Sequence, residues 1–297
     1  MSIISGAHNA TVFVSGDELG VIYIGKYSIV GGVGKYDKVI IKLIDQINGP
    51  ILKIYGNPLK NYFFLCGDVL GAVMKLTING LVATELKTVT NHQYQVCDMD
   101  IHKNGNLLVT CSNDAIKLWD IKMDGMSPIH TIKTDIYATC VAFHPEKSFF
   151  AVGYADRKIR MFVLEQMNTV AEVGCTTSSQ IGDIKNIIFE KSGKYFAVTR
   201  YNMVYIYSFP GMEEVYYFND NIEPLADNTR YHINDLNFTT DKKIVITTCN
   251  NKQIIQRFYN EFSKTIEIES VKNYKYSVNH ILAHETTTNE NHFPSQP

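Results

Sequence analysis

Residues His92–Asp120 read HQYQVCDMDIHKNGNLLVTCSNDAIKLWD. The stretch parses into three strands, Val96–Ile101, Leu107–Cys111 and Ile116–Asp120, with turns at His102–Gly105 and Ser112–Asp114. Short runs of Val, Ile, Leu and aromatics broken by Asn, Gly and Asp mark antiparallel strands joined by tight turns. A tight turn leaves backbone groups that the Asp114 carboxylate can satisfy. The indole N–H of Trp119, once buried, also needs a partner.

The pattern recurs on both sides. Cys140–Phe162, Asp183–Tyr207 and His232–Phe258 each give an apolar strand, a polar turn, a second apolar strand, a short turn and a third strand. Ile51–Leu76 follows with more drift, and Ala10–Ile24 supplies the last two strands of a unit. Aligned on the second strand, the copies place Ser15, Cys66, Thr110, Val152, Val198 and Thr247 in register, spaced by 42 to 51 residues. Fourth strands fit at Lys38–Leu43, Val82–Leu86, Ile129–Lys133, Thr169–Val173, Glu214–Phe218 and Thr265–Glu269. Gly25–Asp37, Thr176–Gly182 and Asn219–Arg230 read as exposed connections.

A repeat of this length with a His near its start and Trp-Asp at its end resembles the WD-repeat propeller family. Here those residues are His92, Trp119 and Asp120, with Asp114 in the turn between. The resemblance implies a hydrogen-bonded chain of His92, Thr110, Asp114 and Trp119 inside one blade. The next copy keeps the turn acid as Asp156 but has Val152 and Phe162 at the Thr and Trp positions. The run Val141–Tyr207, with AFHP, AVGYAD and the later FAVTRYNMVYIY, further resembles WD-repeat proteins of cilia and flagella.

The expected fold is therefore all-β: a WD-repeat-like β-propeller of six visible four-stranded antiparallel blades, as one domain over residues 1–285. Residues 286–297 read as a disordered polar tail. Met1–Asn9 is short and polar, so the first copy lacks a first strand. Tyr276–Ala283 (YSVNHILA) has that character and is expected to close the first blade. A seven-bladed ring, or one completed by another chain, stays open.

Composition narrows the function. The 297 residues carry 28 basic and 30 acidic side chains, a net charge of −2, which gives no electrostatic footprint for nucleic acid. The N-terminus lacks a signal-peptide pattern, and no apolar run is long enough to span a membrane. The six cysteines form no C-x-x-C pair and mostly sit among apolar strand residues, as reduced core thiols would in a cytoplasmic protein. Within the cytoplasm a cytoskeletal or ciliary place stays open, and so does the nucleus.

Chemistry is sparse. Gly31–Lys35 (GGVGK) lacks the first Gly, the Ser/Thr and the helix of a phosphate loop. His92, His102, His144 and His232 fall in turns of different repeats, without ligand spacing, and His284, Glu285 and His292 lie in the tail. Asp98, Asp100, Asp183 and Asp235 have no nucleophile or base at an interpretable spacing. The sequons at Asn9 and Asn237 carry no meaning in a cytoplasmic chain. No catalytic residue, cofactor or metal is expected.

What remains is surface. Tyr94, Tyr137, Tyr154, Arg200, Tyr201 and Tyr231 fall at turns on one face, and Tyr and Arg are enriched at interface hot spots. The expected function is a non-catalytic scaffold docking other proteins within a multi-subunit complex. The alternatives are a structural subunit whose incomplete propeller is finished by a partner's strand or blade, and a small-molecule or enzymatic site in the central channel.

Overall fold

The structure, a computed structural model, describes residues 2–6, 10–16, 21–30, 33–42, 51–57, 59–60, 62–67, 71–122, 127–174, 182–219, 233–238, 245–249, 253–260 and 265–273. Among these there is no helix. The strands form six antiparallel sheets of four, each a WD-repeat-like propeller blade. The chain divides into two compact units, residues 1–91 with 282–297, and residues 92–281.

The first unit holds two sheets. One is β1 (Ser2–Gly6), β2 (Ala10–Gly16), β3 (Val21–Val30) and β4 (Val33–Lys42). The other is β5 (Ile51–Gly56), β6 (Tyr62–Gly67), β7 (Ala72–Asn79) and β8 (Val82–Asn91). Val14, Ile22 and Ile24 pack on Ile54, Phe63, Leu65 and Leu76 to form the core between them.

Two expectations are corrected here. The first sheet takes its own N-terminal residues as its fourth member: Ser2 pairs with Val14 and Gly6 with Ala10. Tyr276–Ala283, expected at that place, lies outside the described residues together with the tail. Ile3 and Ile4 between polar neighbours suffice because backbone pairing asks little of an edge strand's side chains. Gly25–Asp37 is no open connection either. Val30 pairs with Val33, so the hairpin runs to its tip with only Gly31-Gly32 between, a pair suited to a two-residue turn.

The second unit holds four sheets. They are β9–β12 (Val96–Ile101, Leu107–Ser112, Ala115–Asp120, Ser127–Lys133), β13–β16 (Ala138–Phe143, Phe149–Tyr154, Lys158–Val163, Thr169–Gly174), β17–β20 (Asn186–Phe189, Tyr195–Arg200, Met203–Ser208, Glu214–Asn219) and β21–β24 (Ile233–Phe238, Val245–Cys249, Gln253–Asn260, Thr265–Asn273). The second strands of the first three are buried on both faces, which explains why they read as unbroken apolar runs. Val109, Cys111, Ile116 and Leu118 pack on Phe143, Phe150, Val152 and Phe162 of the next sheet. The opposite face of that sheet meets Phe196, Val198 and Tyr207, and Ala197 and Val204 meet Ile233, Leu236 and Ile255. Consecutive sheets are thus joined face to face by side chains whose area is removed from water, at roughly 25 cal/mol per Å².

The pairing also checks the repeat alignment. Trp119 lies opposite Leu108, Phe162 opposite Phe150, and Tyr207 opposite Phe196. Thr110, Val152 and Val198 are therefore equivalent. Leu76 lies opposite Phe63, which makes Leu65, and not Cys66, the matching residue of the second sheet.

Candidate functional site

The residues that resemble the family's blade network are assembled in the β9–β12 sheet. His92 precedes β9, Thr110 is in β10, Asp114 is in the β10–β11 turn and Trp119 is in β11. Trp119 Nε1–H donates to Thr110 Oγ1 at 2.9 Å, and Thr110 Oγ1 lies 2.7 Å from His92 Nε2. His92 Nδ1 lies 3.0 Å from Asp114 Oδ1, and the other carboxylate oxygen accepts the Gln93 N–H at 3.2 Å. One set of protons satisfies every link: indole to hydroxyl, hydroxyl to Nε2, Nδ1–H to carboxylate. The imidazole must then be neutral. Burial holds its pKa below the ordinary value, although Asp114 pulls the other way. Partial burial pushes the Asp114 carboxyl upward, but the hydrogen bonds from Gln93 and His92 bring it below its usual range.

Asp156 belongs to a different arrangement. With Val152 and Phe162 at the Thr and Trp positions there is no hydroxyl or indole to relay to, and those two side chains are core. Asp156 accepts the Lys158 N–H at 3.1 Å and pairs with Arg160 at 3.0 Å. Arg160 also reaches Glu172 at 2.6 Å and lies over the Tyr154 ring, 4.3 Å from its centroid.

The six candidate surface residues separate into four groups. Tyr94 and Tyr137 project into solvent, 55 % and 58 % exposed, with Ile136 beside Tyr137 at 37 %. They stand in the corresponding connections that enter β9 and β13. Their backbones are fixed: Ser112 Oγ donates to the carbonyls of Tyr94 and Gln95 at 3.0 and 2.7 Å, and the Ala155 N–H donates to the Tyr137 carbonyl at 2.9 Å.

Tyr154 and Arg200 are corrections, since both are buried. Each follows two same-face core residues at period two, Phe150 and Val152 for one, Phe196 and Val198 for the other, and so points inward with them. Burial pushes the Tyr154 hydroxyl up to about 12. Arg200 Nε–H donates to the Gly182 carbonyl at 2.7 Å. Tyr201 is half-buried in a left-handed turn, φ 53°, and its ring covers Gly182, where a Cβ would come within 2.0 Å of it. Tyr231 lies outside the described residues.

The acidic residues of the first strands have a role that sequence reasoning missed. The open side of β13 presents N–H groups that β14 does not take. Asp98 Oδ2 accepts the one from Val141 at 3.1 Å and Asp100 Oδ2 the one from Phe143 at 2.7 Å. Asn186, at the position equivalent to Asp98, donates to the Asn234 carbonyl of β21 at 3.2 Å. The signal was the Asp-x-Asp spacing on one strand, which places both carboxylates on one side. Asp100 is half-buried by area but sits deep against β13. Burial raises its carboxyl to about 7, against the two backbone N–H groups that favour the charge. Asp183 is exposed, and Asp235 accepts the N–H of Leu236 at 2.9 Å.

The remaining described histidines of the candidate set are structural. His144 Nδ1 accepts the N–H groups of Glu146 and Lys147, and its Nε2 lies 3.1 Å from the Gly193 carbonyl. His102 Nδ1 accepts the Asn104 N–H. Among the described residues no group of three or more His, Cys, Asp or Glu is arranged to hold a metal ion. Cys66, Cys97, Cys111 and Cys140 are free thiols.

Residues 83–120 and 126–162 match the family model described as WD domain, G-beta repeat. The first match starts in β8 and ends on Asp120, and so contains the whole hydrogen-bonded chain from His92 to Trp119. Two stretches of the chain thus match WD repeats. The chain is 24 % identical over 247 residues to pre-mRNA-processing factor 19 of Dictyostelium discoideum, covering 76 % of this chain and 46 % of that protein. It is 31 % identical over 110 residues to telomerase protein component 1 of Mus musculus, covering 37 % of this chain and 4 % of that protein. Against cilia- and flagella-associated protein 57 A of Tetrahymena thermophila the identity is 24 % over 119 residues, covering 40 % and 9 %. The chain thus spans less than half the length of each of these curated relatives.

Proposed function

We propose that this chain is a non-catalytic WD-repeat scaffold in the cytoplasm that docks protein partners within a larger assembly, through the surface carrying Tyr94, Ile136 and Tyr137. The observation that supports this most is the exposure of two tyrosines and an isoleucine on connections whose backbones are already hydrogen-bonded in place. A partner that covers them pays little ordering entropy, because a tyrosine has few torsions and these loops are fixed beforehand. The β9 and β13 sheets beneath are tied by Asp98 and Asp100, so the patch is presented as one piece. Repeats with degenerate signatures still serve this role, because blades need packing while loops carry recognition. The names of the relatives, a processing factor, a telomerase component and a cilia- and flagella-associated protein, agree with service inside assemblies.

The test is affinity purification with mass spectrometry of the wild-type chain and of Tyr94→Ala/Tyr137→Ala. Loss of a specific set of co-purifying proteins, with circular dichroism unchanged, is the expected result. Recovery of every partner at wild-type level discards this surface.

A further inference from the structure

Asparagine is followed by glycine at residues 48–49, 79–80 and 104–105. In such a pair the glycine nitrogen can reach the asparagine side chain, because no Cβ stands in the way. The first pair lies outside the described residues. In the other two the glycine is left-handed, φ 62° at Gly80 and 66° at Gly105, so the difference between them is not there. It lies in what holds each pair. Gly105 is buried, and its N–H donates to the His102 carbonyl at 2.8 Å. Asn104 Oδ1 accepts the Asn106 N–H at 2.9 Å, and the Asn104 N–H donates to His102 Nδ1 at 3.3 Å. Both reacting groups of that pair are tied down.

Asn79 and Gly80 stand at the tip of the β7–β8 hairpin, and both are exposed. Asn79 pairs with Val82, which leaves Gly80-Leu81 as a two-residue turn. Among the described residues neither the Asn79 side chain nor the Gly80 N–H takes part in a hydrogen bond. A β-bulge between Thr77 and Ile78 leaves the rungs Ile78–Ala83 and Asn79–Val82 alone beyond it, so the tip opens more readily than the ladder below.

We propose that Asn79 is a site of spontaneous deamidation, which turns the hairpin tip into an isoaspartyl carboxylate. The deprotonated Gly80 nitrogen attacks Asn79 Cγ. The new N–C bond closes a cyclic succinimide, and the side-chain nitrogen takes a proton from solvent and leaves as ammonia. Water then opens the ring at either carbonyl, giving its hydroxyl to the carbon and a proton to the ring nitrogen. The products are aspartate and isoaspartate. Isoaspartate inserts a methylene into the main chain, so the Asn79–Val82 rung loses its register. Either product places a negative charge beside Val82, which is itself exposed. The reaction needs no partner protein, so it is independent of the Tyr94–Tyr137 surface.

The test follows the full chain in mildly alkaline buffer at body temperature, folded and in guanidinium. Peptide mapping with fragmentation that separates aspartate from isoaspartate is the readout. In the folded chain residue 79 is expected to convert first, while residue 104 keeps its amide. In guanidinium that order should be lost or reversed, because the β-branched Ile78 crowds Asn79 more than Lys103 crowds Asn104. A folded chain in which residue 104 converts as fast as residue 79 overturns the proposal. So does a folded chain whose residue 79 keeps its amide after the unfolded chain has lost it. A lead of residue 79 that is the same in guanidinium overturns it too, since local sequence and not the hairpin would then set the rate.

Discussion

Replacing Thr110 by Val tests the hydrogen-bonded chain at its centre. The substitution keeps the shape of the side chain and removes one oxygen. That oxygen accepts the Trp119 indole N–H and donates to His92 Nε2, and all three side chains are buried. With valine there, a buried donor and a buried acceptor are left without partners. Each costs about 1–3 kcal/mol, so the expected loss is about 2–6 kcal/mol. The neighbouring sheet provides the control, since Val152 stands with Phe162 there and nothing is orphaned. Thr110→Val/Trp119→Phe should accordingly cost less than the two single changes together, because one of the orphans is gone. Urea unfolding followed by far-UV circular dichroism gives all four corners of the cycle. The chain has one Trp, so fluorescence reports on this blade alone in every variant that keeps Trp119. A Thr110→Val loss under about 0.5 kcal/mol, or strict additivity in the cycle, would refute the reasoning.

Three further outcomes are expected. Trp119→Ala should destabilise by about 3–5 kcal/mol in urea unfolding, and a loss below about 1 kcal/mol would remove Trp119 from the blade core. His92 should be neutral, with the proton on Nδ1, in imidazole ¹⁵N spectra at its ordinary pKa of about 6.5. Because its folded pKa is lowered, its contribution to stability is present above the unfolded value and is lost as pH falls below it; a charged ring at pH 6.5 would contradict this. Gly193→Ala should cost clearly more than Gly80→Ala. Both glycines are left-handed, φ 69° and 62°, but a Cβ at Gly193 would lie 2.2 Å from His144 Cε1, while nothing lies within 4 Å at Gly80. Equal changes in melting temperature would show that His144 can move aside.

The strand pattern was legible because burial on both faces demands apolar runs, and turns demand Asn, Gly and Asp. The His92–Trp119 chain was legible because its residue types are rare enough together to point to one family arrangement. Ser2–Gly6 was not, since an edge strand is held by backbone pairing that its side chains do not announce. Tyr154 and Arg200 were misplaced by residue type, although alternation from Phe150 and Phe196 already pointed them inward. The role of Asp98 and Asp100 was hidden because their partners are backbone groups 43 residues away in sequence.

Those two carboxylates limit how such a chain can be recombined. Asp98 and Asp100 serve amides of the following repeat, so a cut made between sheets separates each acid from the groups it satisfies. A repeat transplanted from elsewhere next to β13 would have to bring two acceptors at the same spacing or leave the Val141 and Phe143 amides stranded. In this part of the chain the smallest exchangeable module is therefore a pair of neighbouring repeats.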